Sequence, residues 1–177
     1  MKQKNYIHNN DGATAVEFAF FAIPFVFILI GMIEIGMMST AATLLQGGTD
    51  EAGRLIRTGQ AQNSGDPQAA FEDELCATVG LLINCDDLVY EVIEIDEDDG
   101  FSGAAANIVL LQPALDEDGN MEAGGFDPGN ENSLVLVRAA YRYPLMTPFV
   151  APFLSDGTDG KRLLIATTII QNEPYDF

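Results

Sequence analysis

Residues 18–33 carry no charged side chain, and the apolar run continues through Ile35, Met37 and Met38 with only Glu34 interrupting it. A bilayer hydrocarbon core of about 30 Å needs roughly 20 helical residues at ~1.5 Å rise, so residues 18–38 are expected to form a transmembrane helix. Pro24, Gly31 and Gly36 lie inside the run. They are better tolerated in lipid than in water, because neighbouring helices can satisfy freed backbone groups. Glu17, Pro24 and Gly31 are seven apart and share one helical face. That face is a candidate for helix packing, since a small residue permits close approach; a bend at Pro24 in a lone anchor is the alternative.

Beyond the span, Leu44, Leu45, Ala52, Leu55 and Ile56 keep approximate helical spacing among Gln46, Asp50, Glu51, Arg54 and Arg57. The helix is therefore expected to continue as an amphipathic stalk, with Gly47 and Gly48 as a hinge and residues 59–65 as a loop. Asp66 as N-cap and Pro67 at the first helical position open a second helix, with Phe71, Leu75, Val79, Leu82 and Ile83 on its buried face. Residues 88–95, rich in Val, Ile and Tyr, predict a strand ended by the acidic run 96–100. Residues 104–111 read equally as helix or strand, and 116–132 as an acidic, glycine-rich loop.

Residues 134–143 alternate, with Val135, Val137, Ala139, Tyr141 and Tyr143 on one face and Arg138 and Arg142 on the other. A third strand over 163–170 follows the turn residues of Asp156-Gly157 and Asp159-Gly160. The proline-rich stretch 145–154 is apolar enough for a partner surface, and a loop covering the sheet is the simpler expectation. The fold class is α+β: a long N-terminal transmembrane helix continuing into an amphipathic stalk, plus a small antiparallel sheet packed with a helix.

Charge then narrows the function. The 177 residues carry a net charge of −19. This argues against nucleic acid, which wants a basic stripe, and against spontaneous adhesion to anionic membranes, and suits a well-solvated extracytoplasmic domain. Lys2 and Lys4 on the short leading flank favour a cytoplasmic N-terminus. A secretory signal peptide ending at Ser39-Thr40-Ala41 is the competing reading. The length of the apolar run, and the acid Glu17 where basic residues are expected, stand against it. A carboxylate at mid-bilayer costs about 2.5–3.5 kcal/mol. Glu17 and Glu34 lie near the two ends of the run, where either could reach headgroups.

Candidate chemistry is sparse. His8, the single histidine, precedes the helix. Cys76 and Cys85 are nine apart, about 13.5 Å along one continuous helix, so a disulfide requires the helix to end near residues 80–84. An even pair in an exported domain is most simply a structural disulfide, worth at most ~3 kcal/mol for so short a loop. Zinc would want further ligands. Asp116, Asp118, Asn120, Glu122 and Asp127 loosely follow a calcium loop. Met121, however, stands where an EF-hand requires glycine, and Asp127 where it uses glutamate, so a solvated loop is expected. No catalytic residue, cofactor or metal is expected. A membrane-anchored or released periplasmic enzyme or binding domain is the alternative; an enzyme would have to rest on carboxylates, and no spacing singles out a pair.

Gly12-Ala13-Thr14-Ala15-Val16-Glu17-Phe18 resembles the processing site of Flp-type prepilins and TadE-like pseudopilins. Glu34-Ile35-Gly36, the cysteines Cys76 and Cys85, Tyr141-Arg142-Tyr143-Pro144 and Asn172-Glu173-Pro174-Tyr175 follow in the order seen in TadE-like proteins. TadF-like proteins share this plan, whereas TadG-like proteins normally carry a larger outer domain. The resemblance implies a minor pseudopilin of the tight-adherence (Flp-type) pilus, not an enzyme but the substrate of one. Prepilin peptidase would cut between Gly12 and Ala13, removing residues 1–12 as a leader. The chain would then comprise a transmembrane helix and stalk over 13–60 and a periplasmic domain over 61–177, held in the bacterial inner membrane. The Ala13 amine, largely protonated at neutral pH with a reference pKa of about 8, could pair with Glu17 of a neighbouring subunit. Its implied partners are the peptidase, other pilins and pseudopilins met through Glu17, Phe18, Pro24 and Gly31, the inner-membrane assembly platform and membrane lipid.

Overall fold

The computed structural model describes residues 12–95 and 112–175. Residues 1–11 of the expected leader 1–12, the acidic run 96–100 and the ambiguous segment 104–111 lie outside the described residues. The architecture is α+β: one long helix, α1 (Ala13–Arg57), a second helix α2 (Pro67–Val79), and a three-stranded antiparallel sheet in the order β1 (Leu88–Ile95), β2 (Leu134–Pro144), β3 (Lys161–Gln171). A short helix, α3 (Ala151–Leu154), lies in the connection between β2 and β3.

At about 1.5 Å per residue, the 45 residues of α1 form a rod about 65 Å long with two different surfaces. Up to Ile33 its side chains are exposed or half-buried, and large apolar groups such as Phe18, Phe20, Ile23 and Met32 face outward. From Glu34 onward a stripe at three- and four-residue spacing, Ala41, Leu45, Gly48, Thr49, Ala52, Gly53 and Ile56, is buried against the rest of the chain. The expected hinge at Gly47 and Gly48 is a correction: α1 runs through both without a break. Gly48 is instead a crossing point, where an added Cβ would come within 2.7 Å of the Val79 side chain and 3.3 Å of the Leu75 carbonyl oxygen. Tertiary packing against α2 overrides the local tendency of two glycines to loosen a helix.

α2 begins as its sequence dictates: the Asp66 carboxylate accepts from the Ala69 N–H at 3.1 Å and Pro67 occupies the first turn. It ends at Val79, so Leu82, expected on its buried face, is 41% exposed, while Phe71, Leu75, Val79 and Ile83 enter the core. Val135, Val137, Ala139, Tyr141 and Tyr143 of β2 pack with Val92 of β1, Ala166 of β3 and the buried stripes of both helices.

The opposite face of β2 departs from the simple alternation. Arg138, expected at solvent, is 2% exposed. It pairs with Glu91 on β1 and donates to the Thr167 hydroxyl on β3, so a buried charge is matched across all three strands. The free edge of β1 is covered by the 123–127 loop, through Val92 N–H to the Gly125 carbonyl at 2.9 Å and Asp127 N–H to the Val92 carbonyl at 2.8 Å. In the acidic loop, Asp116 accepts from the backbone N–H groups of Asp118 and Asn120 and from the Asn120 amide. These bonds, the Asn120 amide first, hold its carboxyl below the usual carboxylate range.

Candidate functional site

α1 starts at Ala13, with exposed Gly12 at the cap position. Glu17 and Phe18 are exposed in its second turn. Glu17 makes no ion pair or hydrogen bond with the described residues. Pro24 lies inside the helix, which continues past it, and an added Cβ at Gly31 would meet nothing within 4 Å. The face carrying Glu17, Pro24 and Gly31 thus has no covering element among the described residues. Of the described residues, only α1 is long and apolar enough to cross a membrane, and almost none of its most apolar window is covered by protein.

The structure adds a residue that sequence reasoning left at the headgroups. Glu34 is buried, at 4% exposure, and its two carboxylate oxygens accept from the Met146 N–H at 2.9 Å and the Thr147 hydroxyl at 2.7 Å. An acid four residues inside the apolar run is thereby satisfied by the segment that follows β2. Its position inside that run was the available signal, because such a group needs partners. Tyr143 is buried on the same side; burial first and then the Glu34 charge push its phenol above the ordinary value.

Residues 145–154 follow β2 at the foot of the sheet: α3 contacts β3, Met146 and Thr147 reach Glu34 of α1, Val150 is buried and Leu145 packs half-buried on the core, whereas Met146, Phe149 and Phe153 are exposed. At the opposite end, the C-terminal segment fastens α1. Glu173 N–H donates to the Arg57 carbonyl at 2.8 Å, and the Asn172 amide donates to the carbonyls of Pro128 and Asn130 at 2.9 and 2.7 Å. The sheet and α2 are therefore tied to α1 near both ends of its packed half.

Cys76 and Cys85 form a disulfide with Cα atoms 5.8 Å apart. The bridge is geometrically possible because α2 stops at Val79 and the chain turns back through Gly80, whose N–H donates to the Cys76 carbonyl. Nearby, Tyr90 donates to Glu72 and accepts from Gln68; burial first, then the Glu72 bond, push its phenol up to about 12.

Residues 12–54 match the family model for TadE-like protein. The match begins at the glycine before α1, runs to three residues from its end and leaves the sheet unmatched. No curated protein and no solved structure matches the chain.

Proposed function

We propose that this chain is a minor pseudopilin that takes part in assembly or initiation of a tight-adherence pilus. The observation that carries the proposal is the division of one unbroken helix, matched by the TadE-like model, into a half that packs on its own domain and a half whose apolar surface none of the described residues covers. Such a half needs lipid before assembly and other helices after it. Maturation is by prepilin peptidase between Gly12 and Ala13, where an exposed glycine directly precedes the helix. The domain over 61–177 is periplasmic, the anchor sits in the bacterial inner membrane, and the chain has no catalytic role of its own.

In this reading the new Ala13 amine meets Glu17 of a neighbouring subunit, and Phe18, Pro24 and Gly31 pack against other pilins. Signal-peptidase cleavage after Ala41 is disfavoured, because Ala41 is fully buried in the middle of α1. The test is the N-terminal residue of the protein from native membranes, read by intact-mass and peptide mass spectrometry. A start at Ala13 that disappears without the peptidase is expected. A start at Ala42 would remove the span and with it the proposal, and an uncleaved chain would leave a plain anchor.

A further inference from the structure

We infer that the connection between β2 and β3 is a second membrane contact, seating Met146, Phe149 and Phe153 in the outer interface of the bilayer beside α1. Depth is the first argument. Glu34 lies four residues, about 6 Å, inside the end of the apolar run, and its carboxylate is bonded directly to Met146 and Thr147. A loop attached there stands at the hydrocarbon boundary whenever α1 spans.

The second argument is the surface this loop presents. Met146, Phe149 and Phe153 are 64%, 76% and 79% exposed, although the same segment buries Val150. Hydrogen bonds from Val150 and Ala151 to the Thr147 carbonyl, and from Ser155 to that of Ala151, wind the chain into helical turns. Phe149 and Phe153, four apart, therefore project on one side. Large apolar groups in this arrangement, continuous with the bare apolar surface of α1, match a lipid interface and not water.

The loop is also held firmly. Leu145 N–H donates to the Gly160 carbonyl at 3.1 Å, and Arg162 pairs with Asp156 at 3.0 Å and donates to the Leu154 carbonyl at 3.3 Å. Exposed Lys161 at the foot of β3 stands directly beyond it, where a long basic side chain reaches headgroup phosphates. Two contacts, a span and an interfacial loop joined through Glu34, would fix the tilt of the outer domain over the bilayer.

This inference rests on α1 as a span, and the experiment separates the two. The chain contains no tryptophan, so a single introduced tryptophan is the only indole reporter. The full chain is placed in nanodiscs of ordinary lipid or of lipid brominated near the glycerol end of its acyl chains. An apolar face seated about 5–10 Å into the interface should lose at least about twofold of its emission in the brominated discs, for both Phe153→Trp and Phe149→Trp. Phe27→Trp, in mid-span, reports on α1 itself in discs of lipid brominated near the methyl end of its acyl chains, which reach the centre of the ~30 Å core. Ile169→Trp, roughly 26 Å up β3 from Lys161 at ~3.3 Å per residue, should stay unquenched. If Phe27→Trp is quenched and neither loop variant is, the loop inference is overturned: red emission would place the loop in water, blue emission against protein. Quenching of Ile169→Trp equal to that of the loop would overturn it as well. If Phe27→Trp is not quenched, the span fails and takes the loop with it.

Discussion

Glu34 shows how one side chain can set the relation between a long apolar helix and the domain packed on its far half. Its oxygens accept from donors 112 and 113 residues away, and one of these is a backbone N–H that no substitution at Met146 other than proline removes. Replacing the acid with alanine leaves the Met146 N–H and the Thr147 hydroxyl without their acceptor in a part-buried place, where water can replace some of it, so the cost is about 1 kcal/mol, the low end of the range for an unsatisfied buried group. Glu34→Ala is therefore expected to lower the unfolding midpoint of the full chain in detergent and to speed hydrogen exchange at the Met146 amide. Glu34→Gln, which keeps one acceptor oxygen, should fall between. Unchanged exchange at Met146 in the alanine variant would mean that the bond does not hold the loop. Position 34 is readable from the sequence as an acid in an apolar run; its partners are not, because backbone donors leave no residue-type signature.

Among the elements, the regular ones were legible where local chemistry and burial agree. Asp66 and Pro67 announce α2, and the β-branched alternation of residues 134–143 announces β2. Where the two disagree, tertiary context decided. Arg138 reads as a solvent-facing residue by alternation, yet Glu91 and Thr167 on the flanking strands make its burial affordable, and only the register reveals them. Gly48 reads as a hinge by composition and serves as the close approach of α1 and α2. Gly48→Ala is thus expected to destabilise, although alanine is the better helix former by about 1 kcal/mol. The new methyl would meet Val79, whose side chain can shift, and Leu75, whose carbonyl cannot shift freely, and overpacking of this kind typically costs about 1–3 kcal/mol. Thermal unfolding of Gly48→Ala beside Gly47→Ala separates the effects, since a Cβ at Gly47 meets nothing within 4 Å. The Gly47 variant should match or exceed the parent, and a stabilised Gly48 variant would restore the hinge reading.

At the scale of the whole molecule, the chain is a rod gripped at its upper half and bare at its lower half. Glu17 stands about 25 Å along α1 from Glu34, so it is remote from the folded domain. A substitution there tests assembly without disturbing the fold. If Glu17 pairs with the Ala13 amine of another subunit in a low-dielectric bundle, Glu17→Gln leaves that amine buried without its counter-charge, and such broken pairs are costly. The expected outcome is unaltered membrane retention and an unaltered start at Ala13, combined with at least about a tenfold drop in cross-linking between Val16→Cys in α1 and neighbouring pilin helices, equivalent to about 1.4 kcal/mol. Cross-linking at parental levels would assign Glu17 to the headgroup region and leave Pro24 and Gly31 to carry helix packing alone. A drop accompanied by loss of membrane retention would instead trace the defect to insertion. The separation is clean because the disulfide, the sheet and the Glu34 tether all lie on the other half of the rod.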